Sequence, residues 1–305
     1  MLNRRILRIK LFKVLYSYAE NPALTLKEAE SMLEQSCEAT RDLYLFLLAL
    51  AGPLTSEAKA RMESARSKFN PTEAELNPNC KFIENRIAPL LEEDPDFKKL
   101  ISSKKMSWDQ YDAFLRHLFE NVRDSEYYAA YMQNPERSLK EDARLFGDIY
   151  AAEFEDNSEL EEILEDLSIL WNDDLVYSVN VCIRTFDELG RGRRWSLPDL
   201  YMSDVKSHGP KESDKAFITK VLRNAVANFD KYYQDIAATT PKWDKSRICA
   251  TDLALIVCGL AEASAFPDMP AGIIINEYVE ISKFYSTAES RGFVNGVLDK
   301  LINKK

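Results

Sequence analysis

The sequence predicts an all-α protein, and three observations carry that prediction. Apolar residues recur at intervals of three and four through most of the chain. Only nine glycines occur in 305 residues, so turn signals are sparse. No series of alternating apolar and polar runs of strand length is present. The length suits one large or two modest domains with a substantial core.

The first predicted helix runs from Asn3 to about Tyr18, with Leu7, Leu11, Val14, Leu15 and Tyr18 on one face. Arg4, Arg5 and Arg8 flank that face, while Lys10 and Lys13 lie nearly opposite. The arginines occupy the first two turns, where the helix dipole disfavours cations, and no acidic residue occurs among the first nineteen. Such a start is either a solvated basic end or an anion site. Two more helices are expected between Leu24 and Lys68, the second starting near Glu34 and buried around Leu43, Leu45, Leu47, Leu48 and Leu50. Gly52-Pro53 should kink or break it, and Asn70-Pro71 and Asn77-Pro78 mark a loop closing a first unit.

From Cys80 to Gly209 the pattern stays helical, as in the spacing of Trp108, Tyr111, Phe114, Leu115, Leu118 and Phe119. Glu153 to Asp174 is dense with acids, either a solvated face or a surface for a basic protein. A weak internal repeat matches Leu145–Val176 with Phe217–Ile248, pairing Trp171 with Trp243. Gly190-Arg191-Gly192-Arg193-Arg194-Trp195 is a second basic cluster, either an RNA-stacking loop or an inter-helix loop with a packed tryptophan. Ser207–Ser213 reads as a domain boundary. The expected domains are 1–78, an N-terminal helical subdomain; 79–210, an acidic helical insertion; and 211–305, a C-terminal helical subdomain.

The net charge of −10 argues against indiscriminate nucleic-acid binding but leaves room for a local basic site. Five scattered cysteines without a CxxC pair suit free thiols in a reducing compartment. Arg8, Lys10 and Lys13 interrupt any signal-peptide core, and no apolar run nears the roughly 20 residues of a membrane helix. A cytoplasmic location is expected, with no membrane partner. The chain carries no HExxH, Walker, dinucleotide or nucleophile-elbow motif, and His117 and His208 sit in no ligand pattern. No enzyme, metal or cofactor is expected.

The last stretch, Pro270 to Leu301, reads as two helices. The first follows Pro270 and carries Ile274, Ile275, Tyr278, Val279, Ile281 and Phe284 as its apolar set. The second opens with a Ser286–Glu289 capping box and lines Val294, Val297, Leu298 and Leu301 on one face, with Gly296 allowing a close backbone approach. IINEYVEISKF followed by FVNGVLDKL, preceded by the helix ending at Glu262, resembles the NusB transcription-antitermination family over roughly the last ninety residues. The resemblance returns in RRILRIKLFKVLYSY.

That resemblance implies a bundle of two packed helical subdomains, here enlarged by the middle insertion, with no metal or cofactor. It implies binding of single-stranded boxA-type RNA together with the ribosomal protein NusE, within an RNA polymerase antitermination complex. Arg4, Arg5 and Arg8 would contact phosphates. Glu289, Ser290 and Arg291 would lie nearest the strand. Phe293 is either a stacking surface or a core aromatic, and Asn295 either an RNA contact or a structural residue. Asn276 and Glu277 are expected to be architectural. Glu262 matches a family glutamate on the NusE-facing subdomain, whereas Ala261, Val257 and Gly292 depart from the family's usual aromatic, arginine and lysine. Removing the three arginines together is expected to weaken RNA binding without unfolding the chain. Some relatives are dimers, which leaves a homodimer open. The alternative is a protein-interaction adaptor that keeps the fold and has lost RNA binding.

Overall fold

The computed structural model describes residues 1–21, 23–202, 213–239 and 248–303. The regular elements among its described residues are all helices, and the one β-type pairing among them is an isolated parallel bridge between Leu2 and Tyr201. The chain forms two compact units, one of Met1–Glu38 with Asp199–Lys305 and the other of Ala39–Pro198.

The opening helices are α1 (Arg4–Glu20) and α2 (Leu26–Leu48). The second unit then contributes α3 (Ala51–Arg66), α4 (Glu73–Leu76), α5 (Ile87–Glu92), α6 (Pro95–Ser103), α7 (Asp112–Asp124), α8 (Glu126–Gln133), α9 (Leu139–Glu153), α10 (Ser158–Leu167) and α11 (Leu175–Gly190). The chain returns to the first unit with α12 (Asp214–Ala227), α13 (Phe229–Thr239), α14 (Ala250–Ala265), α15 (Ala271–Tyr285) and α16 (Ala288–Ile302).

In the first unit α14 is the hub. It is buried on all sides from Asp252 to Glu262, as expected of a helix apolar around its whole circumference. α1, α12, α15 and α16 pack around it. Gly259 makes one of these contacts close: a Cβ there would lie 2.6 Å from a Leu298 methyl. Gly296, expected to serve that role, has no atom of the described residues within 4 Å of where a Cβ would stand, its own helix backbone aside. α1 is held at its start by the Asn3 side chain, which accepts from the Ile6 amide. α16 starts one residue later than the capping box suggested. Thr287 is its cap, accepting from the Ser290 amide, while the Ser286 hydroxyl donates to Asp252.

In the second unit the pair α9 and α11 makes the most extensive packing, and the buried aromatic core comprises Phe46, Phe82, Trp108, Phe146, Tyr150 and Phe186. Two carbonyls near the C-terminus of α2 receive donors from this core, that of Leu47 in addition to the Leu50 amide. The Trp108 indole donates to the Phe46 carbonyl at 2.9 Å, and the Tyr150 hydroxyl to that of Leu47 at 2.6 Å. This explains why the units divide at 38/39 and 198/199 rather than at 78/79 and 210/211. The leucines from Leu43 to Leu48 belong to the core of the second unit, so no first unit closes at Asn77-Pro78. Likewise α2 is one helix from Leu26, with no start near Glu34. The break comes at Ala49–Leu50, and Gly52-Pro53 falls in the first turn of α3, where proline's missing N–H costs nothing. Within the repeat, α9 packs on α11 and α12 on α14, but Trp243, like most of the boundary expected at Ser207–Ser213, lies outside the described residues.

Candidate nucleic-acid interface

The residues that the family resemblance nominates for RNA or NusE contact lie in the first unit, on α1, α14 and α16. The three arginines of α1 turn out to have counter-charges after all, supplied by residues distant in sequence. Arg4 donates through Nε to Asp214 at 3.1 Å and lies over the Phe217 ring, 4.6 Å from its centroid. Arg5 makes a two-pronged contact with Glu277 at 3.1 and 3.3 Å, and its side chain is 50% exposed. Arg8 is only 5% exposed and grips the fully buried Glu262 with two hydrogen bonds, Nε at 2.9 Å and Nη2 at 2.6 Å. The Tyr278 hydroxyl donates a third to the same carboxylate at 2.8 Å.

This cluster is electrostatically closed. Burial opposes the Arg8 charge, but hydrogen bonding and attraction from Glu262 outweigh it and hold the guanidinium firmly protonated. Burial pushes the Tyr278 phenol well above its usual range, so it stays a neutral donor. Arg8 and Glu262 therefore face each other in the interior of the unit. Neither is placed to meet a strand or a protein partner, which corrects the sequence-based roles of both. Breaking the pair exposes an unbalanced buried charge, so Arg8 is also not removable without a stability cost. Glu277, expected to be architectural, is so: it receives both Arg5 and Arg8.

The start of α16 is more open. Glu289 is exposed, Ser290, Arg291 and Phe293 are partly exposed, and Asn295 is exposed. Among the described residues outside its own helix backbone, none places a heavy atom within 4 Å of where a Gly292 Cβ would stand. Among the described residues Arg291 has no carboxylate within ion-pair distance, and its Nε is buried without a hydrogen-bond partner. It is linked to α1 through Glu280, whose carboxyl is held below its usual range by the Lys283 hydrogen bond and, more weakly, by Arg5 and Arg291. Of the three α1 arginines, Arg5 acts on the same carboxyl as Arg291.

Sequence reasoning missed Phe284. Grouped with the core residues of α15, it is instead 82% exposed. The helical spacing held the signal: Phe284 falls seven residues after Glu277 and four after Glu280, on their face, while Ile274, Tyr278 and Ile281 turn inward. The second basic cluster, in the other unit, is structural. Arg194 pairs with Asp94 and Asp96, Arg191 and Arg193 with Glu188, and Trp195 is buried with its indole donating to Tyr44 at 3.0 Å.

No helix among the described residues is long and apolar enough to cross a membrane. The NusB family model matches residues 192–303. The transcription antitermination protein NusB of Alkaliphilus oremlandii is 33% identical over 95 residues, covering 31% of this chain and 69% of that protein. The Syntrophotalea carbinolica protein of the same name is 30% identical over 135 residues, covering 44% of this chain and 85% of the relative. For the Chloroherpeton thalassium protein of that name the figures are 30% over 130 residues, 43% of this chain and 57% of the relative. No solved structure matches the chain. A helical unit closed by α1 and α14–α16, a family model over its C-terminal part and relatives covered over most of their length together place this chain in the NusB family.

Proposed function

We propose that this protein is a non-enzymatic, cytoplasmic transcription antitermination factor that binds single-stranded boxA-type RNA jointly with the ribosomal protein NusE, within an RNA polymerase antitermination complex. The observation that carries the reading is the start of α16, where Arg291 is unpaired among the described residues and Ser290 is partly exposed. Arg5, half-exposed, adds a second phosphate contact once it yields its surface pair with Glu277. Phe284, largely exposed, offers a ring face for an unstacked base.

Charge balance gives the reading its quantitative form. Arg5, Arg8, Lys283 and Arg291 are matched in number by Glu262, Glu277, Glu280 and Glu289, so the chain alone presents little net attraction for a polyanion. Affinity then depends on the second protein. Electrophoretic mobility shifts of a boxA-like RNA over a salt series, with and without purified NusE, test this. The pair is expected to bind roughly tenfold or more tightly than the chain alone, a gain of about 1.4 kcal/mol or more. Equal weak binding with and without NusE refutes the joint reading.

The compensated arginines also favour a second reading, an adaptor that keeps the fold without RNA binding. Capture of NusE with no RNA shift at any salt concentration selects it.

A further inference from the structure

The second unit carries a feature that RNA binding leaves unused. Between Leu145 and Ile183 there are eleven carboxylates and no lysine or arginine, so the whole excess of −10 resides there and the rest of the chain is +1. Within that segment, four large apolar side chains stand out in ten positions: Leu167, Ile169, Leu170 and Val176, with Ile169 79% exposed. They make up a third of the exposed large apolar residues among those described, which marks a patch rather than scatter.

The patch is held rigidly. Trp171 is buried beneath it and stacks on Phe46 at 5.6 Å. The turn is closed by backbone bonds from Ser168 to Leu164, Trp171 to Ser168 and Asp174 to Trp171, all between 2.9 and 3.0 Å. Asp174 is itself anchored by the Thr40 hydroxyl at 2.6 Å. Trp171 thus fixes the turn from below while Ile169 and Leu170 project outward. Around it, Glu161, Glu162, Glu165 and Asp166 are exposed and have no cation within ion-pair distance among the described residues. The surface acids of Glu57, Glu120, Glu188 and Glu280 differ, since each meets an arginine or lysine.

We propose that this patch docks a basic amphipathic helical segment of a partner protein, with apolar residues over Ile169 and Leu170 and cations against the surrounding carboxylates. Charge selects that occupant. A second copy in a two-fold contact would bring the same unpaired acids face to face. RNA and an anionic membrane surface are both repelled. A cationic helix with an apolar stripe satisfies both halves of the surface.

Fluorescence anisotropy with the full chain tests the proposal. The probe is a labelled 18-residue peptide of leucine and lysine ordered to give one apolar helix face. Its control has the same composition scrambled so that no face forms. The ordered peptide is expected to bind, and the scrambled one to bind roughly tenfold more weakly or worse. Ile169→Ser with Leu170→Ser, both at exposed positions, should weaken the ordered peptide by roughly tenfold or more at all salt concentrations. Glu161→Gln with Glu165→Gln should weaken it chiefly at low salt. Circular dichroism checks that both variants keep their helices. Absence of binding, equal binding of the two peptides, or unchanged affinity in the serine variant overturns the proposal. A dimer in sedimentation that is lost in the serine variant also overturns it, by making a second copy the occupant.

Discussion

Replacing Arg8 by alanine is the sharpest test of the first unit's construction. The wild-type pair is sealed: Arg8 is 5% exposed, Glu262 is fully buried, and their two contacts measure 2.6 and 2.9 Å. In Arg8→Ala, Glu262 keeps only the Tyr278 hydroxyl at 2.8 Å, and a buried carboxylate stands without a counter-ion. Loss of one partner of such a pair costs about 3–5 kcal/mol, a large part of a domain's total of roughly 5–15 kcal/mol. The double variant Arg8→Met, Glu262→Gln removes both charges and still gives Tyr278 an acceptor. It should return to within about 1–2 kcal/mol of the parent, since neutral replacement of a buried pair is often tolerated. Urea unfolding gives the total, and hydrogen exchange read by mass spectrometry gives the location. Protection should fall in α1, α14 and α15 and stay unchanged in α9 and α11. A single variant within about 1 kcal/mol of the parent, or a double variant no better than the single, would refute the buried-pair account.

Arg5→Ala breaks an exposed contact, so stability should change by less than about 1 kcal/mol, while the salt slope of RNA binding in the presence of NusE drops by up to about 1. An unchanged slope removes Arg5 from the interface. Gly259→Ala places a methyl 2.6 Å from Leu298 and should destabilise by about 1–3 kcal/mol, whereas Gly296→Ala, within a helix and clear of the other described residues, should stabilise by about 0.5–1 kcal/mol; thermal melts that rank them the other way contradict the packing of α14 on α16. Glu75 has its carboxyl lowered to about 2, first by the Lys68 hydrogen bond and then by the Thr72 backbone. Its contribution is therefore present above the ordinary glutamate range and fades as pH falls toward 2. Exchange protection of α4 should decline across that interval in the parent and be insensitive to it in Glu75→Gln.

Much of the fold is legible in the sequence because burial imposes a period. Leu7, Leu11, Val14 and Leu15 on α1 and Val294, Val297 and Leu298 on α16 are read from spacing and are buried. Three things are not legible, each for a physical reason. The partners of Arg4, Arg5 and Arg8 lie over two hundred positions away, and a local charge count cannot see them. The division between units depends on which core receives the leucines of α2, and periodicity says that they are buried without saying where. Phe284 is apolar and fits the helical period, so only the polar company of Glu277 and Glu280 on its face distinguishes it from a core residue. At the proposed site, the α16 start is readable from its motif, while the closure of Arg8 on Glu262 emerges only when both ends of the chain are in place.

That closure sets an order of events during synthesis. The segment 39–198 is contiguous, so all residues of its unit are present once it leaves the ribosome, whereas α1, made first, must wait for Glu262 and Glu277. At about 5–20 residues per second the delay amounts to some tens of seconds, with the leucine face of α1 open to chaperones throughout. Nascent chains arrested after residue 198 should accordingly leave α1 open to protease while 39–198 resists, and α1 should become protected only when α15 has emerged.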